Sequence, residues 1–410
     1  MKPLNRVVAS IPPSGIRRFF ELASNRADVI SLGIGEPDFV TPWRVREAAI
    51  YSIEKGYTTY TANAGTRELR NLIAEHYRER YGASYDPDSQ IVVTSGVSEA
   101  LDIALRALVE PGDEIIVFEP CYVSYGPCVT MAGGTPVMVP TASSDGFIVD
   151  PDRVRRHVTS RTKAMLICSP GNPTGAVQPP DVVAALAEIA IQNDLYILAD
   201  DIYAQLVYGV RHASFAELEA VADRTVILNG LSKSMAMTGW RVGFVCAPEP
   251  VAALMLKIHQ YTALCAPHTS QMAAAEALRN GESETRRMVA AYDVRRRYLV
   301  SALNDAGLPC ALPDGAFYVF PSVAPTGLSS EVFAERLLTE AAVAVVPGSV
   351  FGPSGEGHVR CSYAAPFPVL EQAVERIRQF TGLIGSDRQP SQTKQDPRIA
   401  ARQGEKAYAV

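Results

Sequence analysis

Ser232-Lys233-Ser234 places one lysine between two hydroxyls, just after the apolar run Thr225–Leu228 and ahead of Gly239-Trp240-Arg241. A lysine amine condenses with a carbonyl carbon to form a Schiff base. Hydroxyls and a guanidinium close by are the partners that a phosphate needs. A phosphorylated aldehyde satisfies both requirements at once. Pyridoxal phosphate held covalently at Lys233 is the implied group, and its chemistry is the stabilisation of a carbanion on an amino acid.

The other parts such chemistry demands can be sought one by one. The ring nitrogen of the cofactor needs a carboxylate beside it. Asp200 and its neighbour Asp201 end the apolar run Leu195–Ala199, where an acid would face a ligand crevice or simply cap the next helix. Donors for the ring's phenolic oxygen are available in Asn172, within Ser169-Pro170-Gly171-Asn172-Pro173-Thr174-Gly175, and in Tyr203; the first run is also ordinary turn chemistry. Thr94-Ser95-Gly96-Val97-Ser98-Glu99-Ala100 passes from strand to helix and offers the Val97 and Ser98 amides to a phosphate, with Ser232 and Arg241 closing the cup. Tyr122, in Glu119-Pro120-Cys121-Tyr122, supplies an aromatic face, or is a rim tyrosine. Arg360, in His358-Val359-Arg360-Cys361-Ser362-Tyr363, suits a substrate carboxylate, and the Gly35 amide could join it. Gly33-Ile34-Gly35 is no dinucleotide fingerprint, because Pro37 breaks any helix there.

These residues need a frame. Seven short apolar runs read as buried strands: Ile91–Thr94, Glu114–Phe118, Pro136–Val139, Lys163–Cys168, Leu195–Ala199, Thr225–Leu228 and Val242–Cys246. Helical spacing is clearest in Ser98–Val109 and Val182–Gln192. The alternation predicts an α/β fold with a mostly parallel seven-stranded sheet between helices. From about residue 284 the texture changes. A charged helix over Glu284–Asn304 leads to a smaller α+β domain with strands in Gly315–Phe320, Ala342–Pro347 and Gly357–Tyr363. Residues 1–44, with a helix over Gly15–Asn25, are expected to pack on that unit, residues 45–283 to form the large domain and residues 284–385 the small one. The polar tail 386–410 is expected to be disordered.

Bulk properties narrow the function classes. The chain has 410 residues, 47% of them hydrophobic and 20% charged, with a formal charge of −6. No block of like charge points to nucleic acid or to an anionic membrane. No apolar run is long enough to span a bilayer, and Met1–Ser14 has no secretory core. Seven scattered cysteines without a Cys-x-x-Cys pair suit a reducing, cytoplasmic setting. The six histidines have no ligand-like spacing, so no metal site is expected.

Taken in order and spacing, Gly35-Glu36-Pro37-Asp38-Phe39, Tyr60-Thr61, Ser95–Ala100, Asn172-Pro173-Thr174-Gly175, Asp200-Asp201-Ile202-Tyr203, Ser232-Lys233, Gly239-Trp240-Arg241 and Val359-Arg360 resemble the fold-type I, class I/II pyridoxal-phosphate-dependent aminotransferases. The likeness runs from about residue 5 to 383 and is strongest to the aspartate and aromatic branch of archaea and bacteria. It implies that Lys233 carries the cofactor and that Asp200, rather than Asp201, faces the pyridine nitrogen. It assigns Asn172 and Tyr203 to the phenolic oxygen, Val97, Ser98, Ser232 and Arg241 to the phosphate, Tyr122 to the ring, and Arg360 and Gly35 to the substrate carboxylate. It also implies a homodimer with shared sites, in which Tyr60 reaches the neighbouring subunit's phosphate. Tyr122 stands where some relatives have tryptophan, which predicts altered substrate preference. The expected reaction is ping-pong transfer of an amino group from an L-α-amino acid, aspartate or aromatic, to a 2-oxo acid such as 2-oxoglutarate. A β-lyase, decarboxylase or synthase on the same fold is the alternative. A regulator with a helix-turn-helix module is not expected, since the match starts near Met1. A dicarboxylate would need a second cation, for which Arg17 and Arg18 are candidates. Phe19, Phe20, Tyr122, Phe317 and Tyr318 would instead shape an apolar pocket.

Overall fold

The computed structural model describes residues 2–16, 26 and 28–387. The helix expected over Gly15–Asn25 falls largely outside them, as do Arg17, Arg18, Phe19, Phe20 and the chain beyond residue 387.

All seven expected strands form, within two residues of the predicted limits, and they build one sheet. They are β1 (Ile91–Thr94), β2 (Glu114–Glu119), β3 (Thr135–Pro140), β4 (Thr162–Cys168), β5 (Tyr196–Asp200), β6 (Thr225–Gly230) and β7 (Gly243–Cys246). Their spatial order is β1-β7-β6-β5-β4-β2-β3. Only β7 runs against the rest, pairing antiparallel with both β1 and β6. Continuous apolar runs, not alternating ones, mark these strands because both faces of the sheet are covered. Ile116, Met165, Ile197 and Ile227 enter one buried cluster; Ile115, Leu166, Leu198 and Leu228 enter another on the opposite face.

Four helices matter for the site: α1 (Val97–Leu108), α2 (Pro180–Gln192), α3 (Glu249–Thr262) and α4 (Glu282–Asp305). α1 and α2 lie where helical spacing predicted them. α4 sends Met288, Tyr292 and Leu299 into a further core, which also holds Phe317, Phe333, Leu370 and, from the N-terminal segment, Leu32. Ile30–Ser31 pairs in parallel with Val343–Ala344, so both ends of the chain build this smaller unit.

The smaller unit is less regular than its sequence suggests. Of Gly315–Phe320 only β8 (Tyr318–Val319) is a strand. Ala342–Pro347 breaks into Val343–Ala344 and β9 (Val346–Pro347), with Ala342 left-handed at φ 53° where a helix stops. β10 (Val359–Ser362) pairs with both β8 and β9. A short helix at Arg6–Ser10, capped by the Asn5 side chain, was not expected from the sequence.

Candidate active site

The six parallel strands deliver their carboxyl ends to one edge of the sheet, which is where open α/β sheets take ligands. Antiparallel β7 brings its amino end to the same edge. Val97 and Ser98 thus follow β1, Tyr122 follows β2, Asn172 follows β4, Asp200 ends β5, Ser232 and Lys233 follow β6, and Arg241 precedes β7. These residues line one cleft of about 460 Å³ together with Gly35, Tyr203 and, from β10, Arg360. Tyr60 does not line it; its side chain is 81% exposed.

At one end of the cleft α1 begins. Its N-cap is Gly96 at φ 81°, ψ 168°, and no side chain caps the helix. The first amides of α1 are therefore available to an anion, with the positive end of the helix behind them. Glycine is needed here on two counts. The backbone is left-handed, and a Cβ would lie 2.5 Å from Nη2 of Arg241.

The middle of the cleft holds an acid and a base. Lys233 Nζ donates to the Gly35 carbonyl at 2.8 Å. Burial is the chief influence on this amine and lowers its pKa to about 8; Glu36 opposes the fall, and Arg360 and Arg241 add to it. Asp200 is buried, which raises its pKa to about 6 against the hydrogen bond it accepts from Tyr125 Oη at 2.7 Å. Tyr125 was not anticipated, because nothing in its local sequence distinguishes it from a core tyrosine.

Asp201 points away. Ser214 Oγ donates to it at 2.9 Å, and His212 lies 3.3 Å from its other oxygen. Adjacent residues on a strand face opposite sides. Asp200 shares a side with Leu198, and Asp201 shares one with Ala199.

The far end is built around Arg360, which is 2% exposed. Nη1 donates to Asn172 Oδ1 at 2.8 Å and Nη2 to the Gly33 carbonyl at 2.7 Å. The guanidinium stacks 4.4 Å from the Tyr318 ring centre and 5.0 Å from that of Phe351. Its Nε is buried with no partner among the described residues, a donor left over for an incoming acceptor. Arginine has only donors, so the oxygen of Asn172 must face it and the amide nitrogen turns the other way. Tyr203 and Tyr318 join their hydroxyls at 3.0 Å. A Cβ on Gly35 would lie 2.7 Å from the Tyr318 hydroxyl, so the chain passes too close for a side chain. Tyr318 lines the cleft and Phe317 is buried in the smaller unit's core. Ile34, Leu101, Val123 and Thr238 also line the cleft and carried no sequence signal.

A depressed lysine has a direct test. In the protein freed of any carbonyl ligand, labelling of Lys233 by trinitrobenzenesulfonate, read by peptide mass across pH 6–11, should reach half its plateau rate near pH 8. A midpoint above pH 10, that of an ordinary surface lysine, would contradict the burial argument.

The cleft thus offers an amine for a carbonyl, a carboxylate beside it, helix-start amides suited to an anion at one end and a buried guanidinium at the other. Residues 27–377 match the family described as aminotransferase class I and II. The protein YugH of Bacillus subtilis (strain 168) is 52% identical over 377 residues, covering 92% of this chain and 98% of its own. An aspartate aminotransferase of Pyrococcus abyssi is 43% identical over 372 residues, covering 90% and 96%. The crystal structure of an aromatic aminotransferase from Pyrococcus horikoshii superposes with a TM-score of 0.86 at 42% identity, covering 89% of this chain and 99% of that one.

Proposed function

This chain belongs to the class I and II aminotransferases, and from that premise we propose that it transfers the amino group of an aspartate or aromatic L-α-amino acid to 2-oxoglutarate with pyridoxal phosphate as cofactor. The observation that carries the reading is the convergence of Lys233, Asp200 and Arg360 on one cleft. The residues fit the cofactor: an uncapped helix start and Arg241 for its phosphate, Asp200 for its ring nitrogen, and the Asn172 amide and Tyr203 hydroxyl for its phenolic oxygen. When bound, the cofactor supplies an electron-accepting ring and an aldehyde that trades its oxygen for the substrate's nitrogen.

The protein's part is to hold, aim and move protons. Lys233 Nζ would hold the cofactor's aldehyde carbon and is the amine placed to accept the proton leaving Cα. At a pKa of about 8, roughly a tenth of such amines are free at pH 7. Arg360, and with it the Gly35 amide, grips the substrate carboxylate and so sets the direction of the Cα–H bond. Tyr122 covers the ring.

Residues 45–283 form the cofactor-binding unit in this proposal, with 1–44 and 284–385 making the smaller one. The protein acts as a homodimer. In support, the helix Trp43–Glu54 and the loop after it expose Trp43, Ile50, Tyr51, Ile53, Tyr57 and Tyr60, an apolar patch that a second copy would cover. Tyr60 then acts in the neighbour's site. A cytoplasmic setting is supported by seven free cysteines.

Two measurements test the reading. Purified protein should show a visible band that an amino acid bleaches with one equivalent of 2-oxo acid, and the most effective amino acids define the substrate. A colourless protein that takes up no added pyridoxal phosphate would overturn it. Arg360→Leu should raise KM for every amino acid by roughly 100-fold or more, since a charge-assisted pair is lost. An unchanged KM would assign the carboxylate to another cation.

A further inference from the structure

The amides at the start of α1 can bind an anion only if the corner before them is fixed. Gly96 is the most permissive residue available, so the corner does not hold itself. Two tethers hold it. On one side the Gly96 amide donates to the Thr94 carbonyl at 2.9 Å, and Thr94 Oγ1 donates to the Gly96 carbonyl at 3.0 Å. On the other side the Ser95 amide donates to Oε2 of Glu99, the third residue of α1. Glu99 lines no part of the cleft.

The Glu99 carboxylate is itself held from behind. Its Oε1 lies 2.7 Å from Nδ1 of His259, which α3 brings against α1. A carboxylate only accepts, so Nδ1 carries the proton. His259 is fully buried and its Nε2 has no partner among the described residues. An imidazole nitrogen buried without a partner costs free energy, which the bond at Nδ1 offsets in part. Neither residue touches the cleft, and the reaction as described uses neither.

We propose that Glu99 and His259 are positioning residues for the anion cradle: His259 fixes the Glu99 carboxylate, Glu99 fixes the Ser95 amide, and the Val97 and Ser98 amides are thereby aimed before the phosphate arrives. The inference rests on the cleft being a pyridoxal phosphate site. Its physical content is preorganisation, since a loop ordered in advance loses less entropy on binding.

The test is a comparison of two ligands on the full-length protein freed of cofactor. Pyridoxal phosphate and pyridoxal share the ring and the aldehyde, and only the first carries the phosphate. Dissociation constants are read from the absorbance of the bound ring. Glu99→Ala, and independently His259→Phe, should weaken pyridoxal phosphate by roughly tenfold and leave pyridoxal within about twofold. Glu99→Gln keeps an acceptor for the Ser95 amide, and His259→Asn keeps a donor near the place of Nδ1. Both should regain most of the loss. Equal weakening of the two ligands would mean general damage to the fold and overturn the proposal. So would unchanged binding in Glu99→Ala, or a Gln variant as weak as the Ala one. Failure of the wild-type protein to bind pyridoxal phosphate would instead bring down the cofactor assignment and this inference with it.

Discussion

Lys233→Ala is expected to lower turnover by at least about 10⁴-fold and to erase the visible band of the covalently held cofactor. In the proposed function the side chain has two duties, to anchor the cofactor and to take the Cα proton. Its Nζ is the amine in the cleft, hydrogen-bonded to the Gly35 carbonyl at 2.8 Å. Among the described residues the other cations lining the cleft are Arg360 and Arg241, and guanidinium groups stay protonated near neutral pH. On the proposed assignment, removing the lysine removes both the covalent anchor and the group that takes the Cα proton. Lys257→Ala, on the exposed side of α3, is the control and should keep both band and rate. Retention of the band in Lys233→Ala would relocate the anchor. Retention of the band's protein-bound cofactor without turnover, at an absorbance shifted to that of the free aldehyde, would agree with the assignment. The phosphate cradle and Asp200 remain in such a variant.

Much of this site was legible because its residues sit at the ends of strands that announce themselves. A run such as Ile115-Ile116-Val117 is apolar throughout since both faces of the sheet are buried, and the polar residue after such a run falls at the ligand edge. Pairing of the ends could not be read in the same way. Tyr125 meets Asp200 across 75 residues of sequence, and Glu99 meets His259 across 160. Nothing local marks either tyrosine or histidine as a partner. The choice between Asp200 and Asp201 shows the limit well. Strand parity places them on opposite faces, but only the packed fold says which face carries Tyr125 and Lys233. The regularity of Gly315–Phe320 was overread. Apolar character there reflects burial against α4 and β10, and Ala316, left-handed at φ 58°, interrupts the strand. The lowering of the Lys233 pKa comes chiefly from burial, with Arg360 and Arg241 lesser contributors.

Asp200→Asn should cost roughly three orders of magnitude in turnover, and its effect on stability should carry the opposite sign. The amide keeps the shape of the carboxylate: its one oxygen can accept from the Ile202 amide, as Asp200 Oδ1 does at 3.2 Å, and its NH2 can donate to Tyr125 Oη, which in the wild type donates to Oδ2 at 2.7 Å. It loses the negative charge that keeps a ring nitrogen protonated, and with it the electron demand of the ring. The same charge is a burden to the protein without cofactor. Burial raises the Asp200 pKa from 3.8 to about 6. A carboxyl group with a raised folded-state pKa contributes stability below its unfolded value, near 3.8, and that contribution is lost as pH rises through about 6. Asparagine does not titrate. The stability of the cofactor-free Asn variant relative to wild type should therefore grow between pH 4 and 6 and level off above, as read by thermal melting. Cofactor binding should reverse the order at pH 7, since only the wild type pairs the ring's cation. A near-normal rate in Asp200→Asn would move the role to another acid. A stability difference that is flat with pH would mean that Asp200 is ionised without penalty, and that the cleft is wetter than its buried walls imply.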